Sequence, residues 1–257
     1  MSAVSLHELS VSYAGADAVT AFDLTVSSGE WVSLIGPNGA GKTSVLRAIA
    51  GLAHHGGEVC IGERRTDQLS ARELARQVAM LPQEPLIPVG MPVAHYVLLG
   101  RSPHLGYLGR ERAADRRIVA RILDRLSLTA LAARPVEQLS GGERQRAAIA
   151  RARAQQAPVL LIDEPTTSLD IGRQQEVLEL VDQIRRDEEL TVIAAMHELT
   201  LAGQYSDRLA LLVGGRLVAT GAPGEILTEG TIAQHYAAQV QVFEMNGSGR
   251  AVVPVRR

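Results

Sequence analysis

The chain begins with a regular alternation of polar and apolar residues. Residues 4–13 and 21–26 alternate in this way, and a Ser-Ser-Gly-Glu turn at residues 27–30 follows the second run. Alternation with a period of two is typical of strands that bury one face. We therefore expect antiparallel strands in this part of the chain.

Three later runs are apolar almost without interruption. They span residues 32–35, 159–162 and 191–196. Strands that are covered on both faces have this character, which is common in the parallel sheets of α/β proteins. The runs therefore predict buried parallel strands in one sheet.

The stretch from about residue 92 to residue 154 has helical patterns. Within it, four apolar residues recur at the spacing of one helix face: Ile118, Ile122, Leu123 and Leu126. This pattern predicts a helical lobe inserted between strands of the sheet.

The last quarter of the chain contains two predicted hairpins. A Gly-Gly turn interrupts the strand-like residues 209–220, and residues 240–255 have the pattern of a short hairpin with a loose tip. We expect one domain over residues 1–257. Its parts are a core with the antiparallel subdomain at about 1–88 and 155–236, a helical subdomain at about 89–154, and a short C-terminal extension at 237–257.

Composition excludes several classes of protein. The 257 residues are 46% hydrophobic and 21% charged, and a net charge of −2 gives no general attraction to nucleic acid or to an anionic membrane. No signal peptide pattern is present, and no apolar run approaches the ~20 residues of a membrane helix. A single cysteine, Cys60, excludes an intrachain disulfide and a cysteine-based metal cluster. We expect a cytosolic protein whose membrane role requires a separate chain.

The first candidate for chemistry is GPNGAGKT at residues 36–43. It follows a predicted strand and precedes a helical pattern, which is the context of a phosphate-binding loop. The glycines let the backbone wrap so that successive N–H groups point inward at a helix N-terminus. Lys42 can then reach the β- and γ-phosphates of a nucleotide, and the Thr43 hydroxyl can ligate Mg²⁺.

A pair of carboxylates follows the apolar run 159–162. Asp163 ends the predicted strand, so its side chain should lie at the carboxyl edge of the sheet, beside the phosphate loop and within reach of Mg²⁺. Consecutive strand residues point to opposite sides. We therefore expect Glu164 to leave the metal to Asp163 and to orient or deprotonate a water aimed at the γ-phosphate.

A second anion-binding helix start is predicted in LSGGERQRAAIAR, residues 139–151. Ser140, Gly141 and Gly142 open a helix whose N–H groups and dipole favour negative charge. Because the phosphate loop already holds its own side of a nucleotide, this second cradle is suited to an anion held elsewhere. The arginine-rich remainder lacks interleaved aromatic residues, which favours a solvated or interface face over nucleic-acid binding.

In their order along the chain these motifs resemble the ATP-binding cassette proteins that energise membrane transporters, from residue 13 to about residue 221. Residues 36–43 are similar to the Walker A loop, residues 139–146 to the family signature, residues 159–164 to Walker B and residues 168–170 to the D-loop. Departures are small: a Thr-Ser order after Lys42, and Met-His-Glu at residues 196–198. Neither changes the expectation of ATP hydrolysis.

The resemblance implies an α/β fold: a P-loop NTPase core with a mixed sheet, an N-terminal antiparallel β subdomain and an inserted α-helical subdomain. It implies ATP and Mg²⁺ as ligands, with Tyr13 stacking on adenine and His197 contacting the γ-phosphate. The implied catalytic residues are Glu164, His197, Gln83 and Lys42, and the implied metal ligands are Thr43, Gln83 and Asp163. The implied nucleotide-binding residues are Tyr13, Gly36, Pro37, Asn38, Gly39, Ala40, Gly41, Lys42, Thr43, Ser44, Ser140, Gly141, Gly142, Glu143 and Asp170.

Finer phrases, at residues 97–119 and 198–228, look like the importer subgroup for iron-siderophores, haem and cobalamin. The resemblance therefore implies a homodimeric ATPase beneath two permease subunits at the inner face of the cell membrane, with a binding protein that delivers a metal chelate and no nucleic-acid partner. Residues 84–110 are expected to dock the permease. Two alternatives stay open: a zinc or manganese importer, which shares a GR-x-x-H phrase, and a soluble cassette ATPase acting on a macromolecule.

Overall fold

A computed structural model describes residues 2–106, 109–165, 170–245 and 249–256. Its strands are β1 Ser2–Tyr13, β2 Ala16–Ser27, β3 Trp31–Ile35, β4 Gly56–Ile61, β5 Arg64–Arg65, β6 Val78–Leu81, β7 Val159–Asp163, β8 Thr191–Ala195, β9 Arg208–Val213, β10 Arg216–Gly221, β11 Val240–Glu244 and β12 Arg250–Pro254. Its α-helices are α1 Lys42–Ile49, α2 Ala71–Gln77, α3 Val93–Leu98, α4 Ala113–Arg125, α5 Gly141–Ala154, α6 Ile171–Glu188, α7 Leu199–Tyr205, α8 Pro223–Ile226 and α9 Glu229–Tyr236.

Four of the described strands form an antiparallel sheet in the order β2, β1, β4 and β5. This confirms the antiparallel strands predicted near the start of the chain. β2 begins at Ala16 rather than at residue 21, because the turn at Ala14 and Gly15 lets pairing start as soon as β1 ends at Tyr13. β4 was not predicted, since its first half is exposed and shows no alternation.

Six described strands form the central sheet in the order β10, β9, β3, β8, β7 and β6. All neighbours run parallel except β10, which pairs antiparallel with β9. Every residue of β3, β7 and β8 is buried, which confirms the three predicted parallel strands. The predicted hairpin is β9 and β10, with Gly214 and Gly215 at φ 55° and 78° in its turn. β6, a four-residue edge strand, was too short to be predicted.

The central sheet separates two apolar cores. Alternate residues of β7 serve each one: Val159 and Leu161 pack with α1 and the antiparallel sheet, whereas Leu160 and Ile162 pack with α5 and α6. This is why the strand is apolar without interruption, as a strand covered on both faces must be.

The helical lobe is present, but its predicted face is partly wrong. In α4 the buried side chains are Asp115, Val119 and Leu123, whereas Ile118 and Ile122 are only half-buried. The stripe is displaced because the helix places a buried aspartate one turn before its apolar residues, a position that a search for apolar periodicity does not count.

An ion pair inside the lobe explains that buried aspartate. Arg101 donates from Nε to Asp115 Oδ1 at 3.0 Å and from Nη1 to the carbonyl of Ala154 and to Gln156 Oε1, each at 2.8 Å. The other Asp115 oxygen accepts from the backbone N–H of Arg112 at 2.9 Å. These bonds, with the backbone contact first and Arg101 next, lower the pKa of Asp115. The pair therefore fastens α4 to the end of α5.

The C-terminal residues form the second predicted hairpin, β11 with β12. Its predicted loose tip, residues 246–248, lies outside the described residues. Within the described ranges, no helix has the length and apolar character needed to cross a bilayer.

We predict that Asp115→Ala lowers the free energy of unfolding by about 3 kcal/mol, because Arg101 is left buried without its carboxylate. A lowered pKa in the folded state means that this stabilisation is complete above the ordinary aspartate pKa and is lost as the pH falls through the folded value. Urea denaturation should therefore show a constant difference from pH 7 to 5 that shrinks only in stronger acid. Asp124→Ala, an exposed acid on the same helix, is the control. Equal effects of the two variants would contradict the prediction.

Candidate active site

The loop between β3 and α1 depends on two glycines with positive φ. Gly36 and Gly41 have φ 149° and 99°. A Cβ atom on Gly36 would lie 2.1 Å from the carbonyl oxygen of Leu212, and one on Gly41 would lie 2.4 Å from that of Ala18. Only glycine fits at either position, so the loop is held close against β2 and β9.

Lys42 is the first residue of α1, and its side chain is buried inside this loop. Its Nζ donates to the carbonyls of Gly36 at 2.8 Å and Pro37 at 3.2 Å. Burial lowers the pKa of Lys42, and the charges of Glu164 and Asp163 oppose that shift. The ammonium therefore lies at a helix N-terminus where an anion would find both the dipole and a poorly hydrated positive charge.

Asp163 ends β7 next to α1. It is 3% exposed, and its Oδ1 accepts a hydrogen bond from Thr43 Oγ1 at 2.8 Å. Burial raises the pKa of Asp163, and the Thr43 bond partly offsets that rise. Hydroxyl and carboxylate oxygens side by side are ligands of the type that Mg²⁺ prefers.

The backbone turns between Asp163 and Glu164, which the sequence did not indicate. Glu164 does not continue the strand: its φ is 49°, a left-handed conformation that costs a non-glycine residue free energy. Its N–H donates to the carbonyl of Ala195 at 3.0 Å, which ties the turn to the end of β8. The two carboxylates therefore have different partners because the chain turns between them, and the expectation based on strand alternation was wrong in its reason.

The Glu164 carboxylate lies between two predicted site residues. Gln83, which follows β6, donates from Nε2 to Glu164 Oε2 at 2.7 Å, and His197, which follows β8, contacts Oε1 through Nε2. Three neighbouring parallel strands thus deliver one side chain each to the same edge of the sheet, where ligands bind in open α/β sheets.

A cavity of about 510 Å³ opens at this edge. Its lining consists of one residue of β2, the phosphate loop, and the two polar residues Glu164 and His197. The full set is Ala18, Asn38, Gly39, Ala40, Gly41, Lys42, Thr43, Ser44, Glu164 and His197. Of these, Ala18 was missed. It carries no sequence signal, since an alanine in a strand is ordinary, and only its backbone contact with Gly41 brings it to the site.

Tyr13 does not line this cavity. It is the last residue of β1, is 43% exposed and lies opposite Ala16 in the hairpin that also carries Ala18. Its contact with adenine stays a prediction.

The second predicted anion site forms as a helix start but outside the cavity. Ser140 caps α5, its Oγ accepting from the N–H of Glu143, while the Glu143 side chain accepts from the N–H of Ser140 at 2.7 Å. That contact lowers the pKa of Glu143. Among the residues lining the cavity of the described structure there is none from residues 140–143.

The D-loop prediction is only partly covered by the structure. Ser168 lies outside the described residues. Asp170 caps α6 by accepting from the N–H of Arg173 at 2.9 Å and pairs with the Arg173 guanidinium. Arg173 also lies near Gly141 at the start of α5, so the two helix starts are neighbours.

The fold and this site define a nucleotide-binding P-loop ATPase. A family model described as ABC transporter matches residues 19–167. YusV of Bacillus subtilis, named as a probable siderophore transport system ATP-binding protein, is 36% identical over 264 residues, covering 98% of this chain and 96% of that protein. The hemin import ATP-binding protein HmuV of Streptomyces coelicolor is 38% identical, covering 97% and 88%. The cobalamin import ATP-binding protein BtuD of Halobacterium salinarum is 39% identical and covers 95% of this chain, which spans only 61% of that relative.

Two solved structures support membership of the same family. A chain of a metal-chelate type ABC transporter in an inward-facing conformation superposes with a TM-score of 0.86 at 26% identity, covering 99% of this chain and 98% of its own. The cassette MJ0796, in a dimeric post-hydrolysis state with ADP and phosphate, gives a TM-score of 0.74 at 28% identity, covering 85% and 98%. The chain belongs to the ABC transporter family and is an ATP-binding cassette that hydrolyses ATP.

We predict that Asp163→Asn raises the melting temperature of the nucleotide-free chain by about 2–4 °C, which corresponds to about 1 kcal/mol. The amide can still accept from Thr43 but does not carry a buried charge. Differential scanning calorimetry measures this, with the exposed Asp124→Asn as the control. A lower melting temperature in Asp163→Asn alone would show that the carboxylate is a net stabilising group.

Proposed function

We propose that the chain is the ATP-hydrolysing subunit of an importer, that two copies close around two ATP molecules, and that closure drives uptake of a metal chelate through a permease. The main support for the dimer is that the two anion-binding helix starts, those of α1 and α5, do not meet in one cavity. The cavity at Lys42 is built without residues 140–143, so the start of α5 is available to a nucleotide held elsewhere.

The Lys42 environment supports triphosphate binding. In this structure two backbone carbonyls satisfy its ammonium, and phosphate oxygens are stronger acceptors for the same donor. The N–H groups of the loop add further donors at the N-terminus of α1. In the proposal, residues 36–44 hold the phosphates and Tyr13 stacks on adenine.

The oxygen donors support Mg²⁺ as the accompanying ion. Thr43, Asp163 and Gln83 would hold it, and the ion would neutralise charge on the β- and γ-phosphates. In the described part of the chain no group of three or more His, Cys, Asp or Glu side chains has the arrangement of a metal site. This fits a shell shared with the nucleotide, since Mg²⁺ commonly binds through one or two carboxylates and substrate phosphates.

Glu164 is suited to prepare a water molecule. Gln83 and His197 each hold one oxygen of its carboxylate, and Glu164 and His197 line the cavity at the phosphate loop. A positioned carboxylate within one water of the reacting phosphorus can orient that water and accept its proton.

Dimerisation follows from the position of helix α5, which begins within the family signature. An isologous pair places each α5 start over the partner's loop, and the two sites are then identical by symmetry. Ser140, Gly141, Gly142 and Glu143 would contact the partner's nucleotide, with Asp170 beside them. The dimeric state of MJ0796 supports this arrangement.

The names of the relatives support a metal chelate as the cargo and a permease as the membrane partner. Their names describe transport of siderophores and import of hemin and cobalamin. Hemin and cobalamin are chelates of a metal ion, and siderophores are chelators that bind one. Leu86 and Val89, in the segment expected to dock the permease, are 79% and 89% exposed. The cassette would thus lie at the inner face of the membrane, with a binding protein delivering the chelate to the permease.

We predict that Glu164→Gln binds ATP with wild-type affinity, hydrolyses it at least about a hundredfold more slowly, and accumulates as a dimer, because the amide cannot accept the proton of water. Light scattering with ATP and Mg²⁺ measures the dimer. Glu198→Gln, which alters an exposed acid beside His197, should keep wild-type turnover. A Glu164→Gln chain that stays monomeric with ATP would count against the dimer proposal.

We also predict that Lys42→Ala loses nucleotide binding, as measured by the fluorescence of a labelled ATP analogue, because the buried positive charge at the loop is removed. Wild-type turnover in this variant would overturn the assignment of the phosphate site.

Purification of the chain from gently solubilised membranes of its source, with the co-purifying proteins identified by mass spectrometry, tests the importer. Recovery of a polytopic permease is expected, and its binding protein would then be titrated with haem, siderophores, cobalamin, zinc and manganese. Tight binding of the free ions alone would favour a zinc or manganese importer. Recovery of ribosomes or DNA would favour an ATPase acting on a macromolecule.

A further inference from the structure

Helix α5 contacts the turn that carries Glu164. Gln145, in the second turn of the helix, donates from Nε2 to the carbonyl oxygen of Pro165 at 3.2 Å. Because a carbonyl oxygen only accepts, the amide nitrogen of Gln145 must face it. Proline has no N–H, so this carbonyl is the one backbone group of Pro165 that a hydrogen bond can fix.

The turn needs such anchors because its backbone is strained. Glu164 has φ 49°, and a left-handed conformation of this kind persists only where the surrounding structure holds it. On one side the N–H of Glu164 donates to the carbonyl of Ala195 at 3.0 Å. On the other side Gln145 holds the carbonyl of Pro165, which is buried. Loss of the Gln145 amide would remove the anchor that comes from α5, so the carboxylate of Glu164 would be placed less accurately.

The first turns of α5 form one rigid unit with the rest of the helix. The helix start is capped by Ser140 and Glu143, and residues 147–150 are all buried. Close packing of these small side chains leaves the helix little freedom to bend. In the dimer proposed above, the start of α5 contacts the partner's nucleotide, while Gln145 contacts the turn of its own chain. One helix would thus take part in both sites.

We propose that Gln145 is a positioning residue through which α5 holds the Glu164 turn of the same chain in the conformation that prepares the attacking water. This inference deepens the proposed function and rests on hydrolysis through Glu164. Only the second of the two experiments below also requires the dimer, and the cargo has no part in either.

Gln145 should affect the chemical step rather than the binding of ATP. Among the described residues, the lining of the cavity includes neither Gln145 nor Pro165, and the phosphate loop lies at the start of α1. A displaced Glu164 prepares water less well. We therefore expect kcat to fall while the Kd of the single chain for ATP stays the same.

The first experiment compares substitutions of Gln145 in the full-length chain, using phosphate release for kcat and a fluorescent ATP analogue for Kd. Gln145→Glu keeps the size of the side chain but cannot donate, so kcat should fall about threefold to tenfold, the range for one hydrogen bond. Gln145→Lys keeps a donor on a slightly longer side chain and should stay within about twofold of wild type. Gln175→Glu is the control for the added charge, because Gln175 is exposed and donates to Glu179 on its own helix.

The second experiment asks which Glu164 is affected. A small amount of chain with an intact Glu164 is mixed with an excess of Glu164→Gln chain, so that each mixed dimer contains one working carboxylate, and a single turnover is measured. Gln145→Glu in the working chain should slow hydrolysis about threefold to tenfold. The same substitution in the Glu164→Gln chain should leave the rate unchanged. A variant that only weakened the symmetric interface would slow both mixtures equally.

Wild-type kcat in Gln145→Glu, or a loss no larger than that in Gln175→Glu, would overturn the positioning role. A Gln145→Lys chain as slow as the Gln145→Glu chain would show that the donated bond is not what matters, which would also overturn it. Equal losses in the two mixed dimers would place the effect at the interface instead. A Glu164→Gln chain that stays monomeric with ATP would overturn the dimer proposal, and the first experiment would still decide the role of Gln145.

Discussion

The parallel pairing of β3, β8, β7 and β6 is the constraint on which the site depends. The register places Leu34 opposite Ala195 and Ile162 opposite Ala194, so the strands end at one edge of the sheet. The groups that follow them then meet without long loops: the phosphate loop after β3, His197 after β8, the two acids at the end of β7 and Gln83 after β6. Because the side-chain period of a strand is two, a slip of one residue would move Asp163 away from Thr43 and exchange the side chains of the strand between the two cores.

The buried charges at that edge cost the fold stability but leave it able to bind a ligand. Lys42 and Asp163 are both almost fully buried, yet among the described residues neither has a close salt-bridge partner. Carbonyls satisfy the ammonium, and a hydroxyl satisfies the carboxylate. Neutral partners leave each charge available to a ligand of opposite sign. Glu164 adds a left-handed backbone to the same turn. Strain and desolvation are thus concentrated where a nucleotide and its cation would relieve them.

The sequence predicted those parts of the site whose chemistry is local. A glycine-rich loop between an apolar strand and a helix has few other uses, so Gly36, Lys42 and Thr43 followed from residue type and spacing. The turn at Glu164 could not be predicted, because it is made by the carbonyl of Ala195, on a strand that is distant in sequence. Ala18 enters the cavity only because a glycine approaches its backbone. The lobe was found from its periodicity, but Asp115 displaced the buried face in a way that only its partner Arg101 explains.

Arg101 also affects what the sequence can say about the identity of the cargo. On the family resemblance, the GR-x-x-H phrase is expected in cassettes both for metal chelates and for bare ions. Here its arginine is buried against Asp115 and Ala154, while His104 contacts the carbonyl of Gln155 at 2.8 Å. Both side chains are used inside the cassette to join the lobe to the end of α5. A phrase with this structural role should occur wherever the lobe is built in the same way, whatever the permease carries. Its presence therefore does not discriminate between the proposed chelate importer and a zinc or manganese importer. Under that proposal the discrimination must come from the segment expected to dock the permease, in which Leu86 and Val89 are exposed.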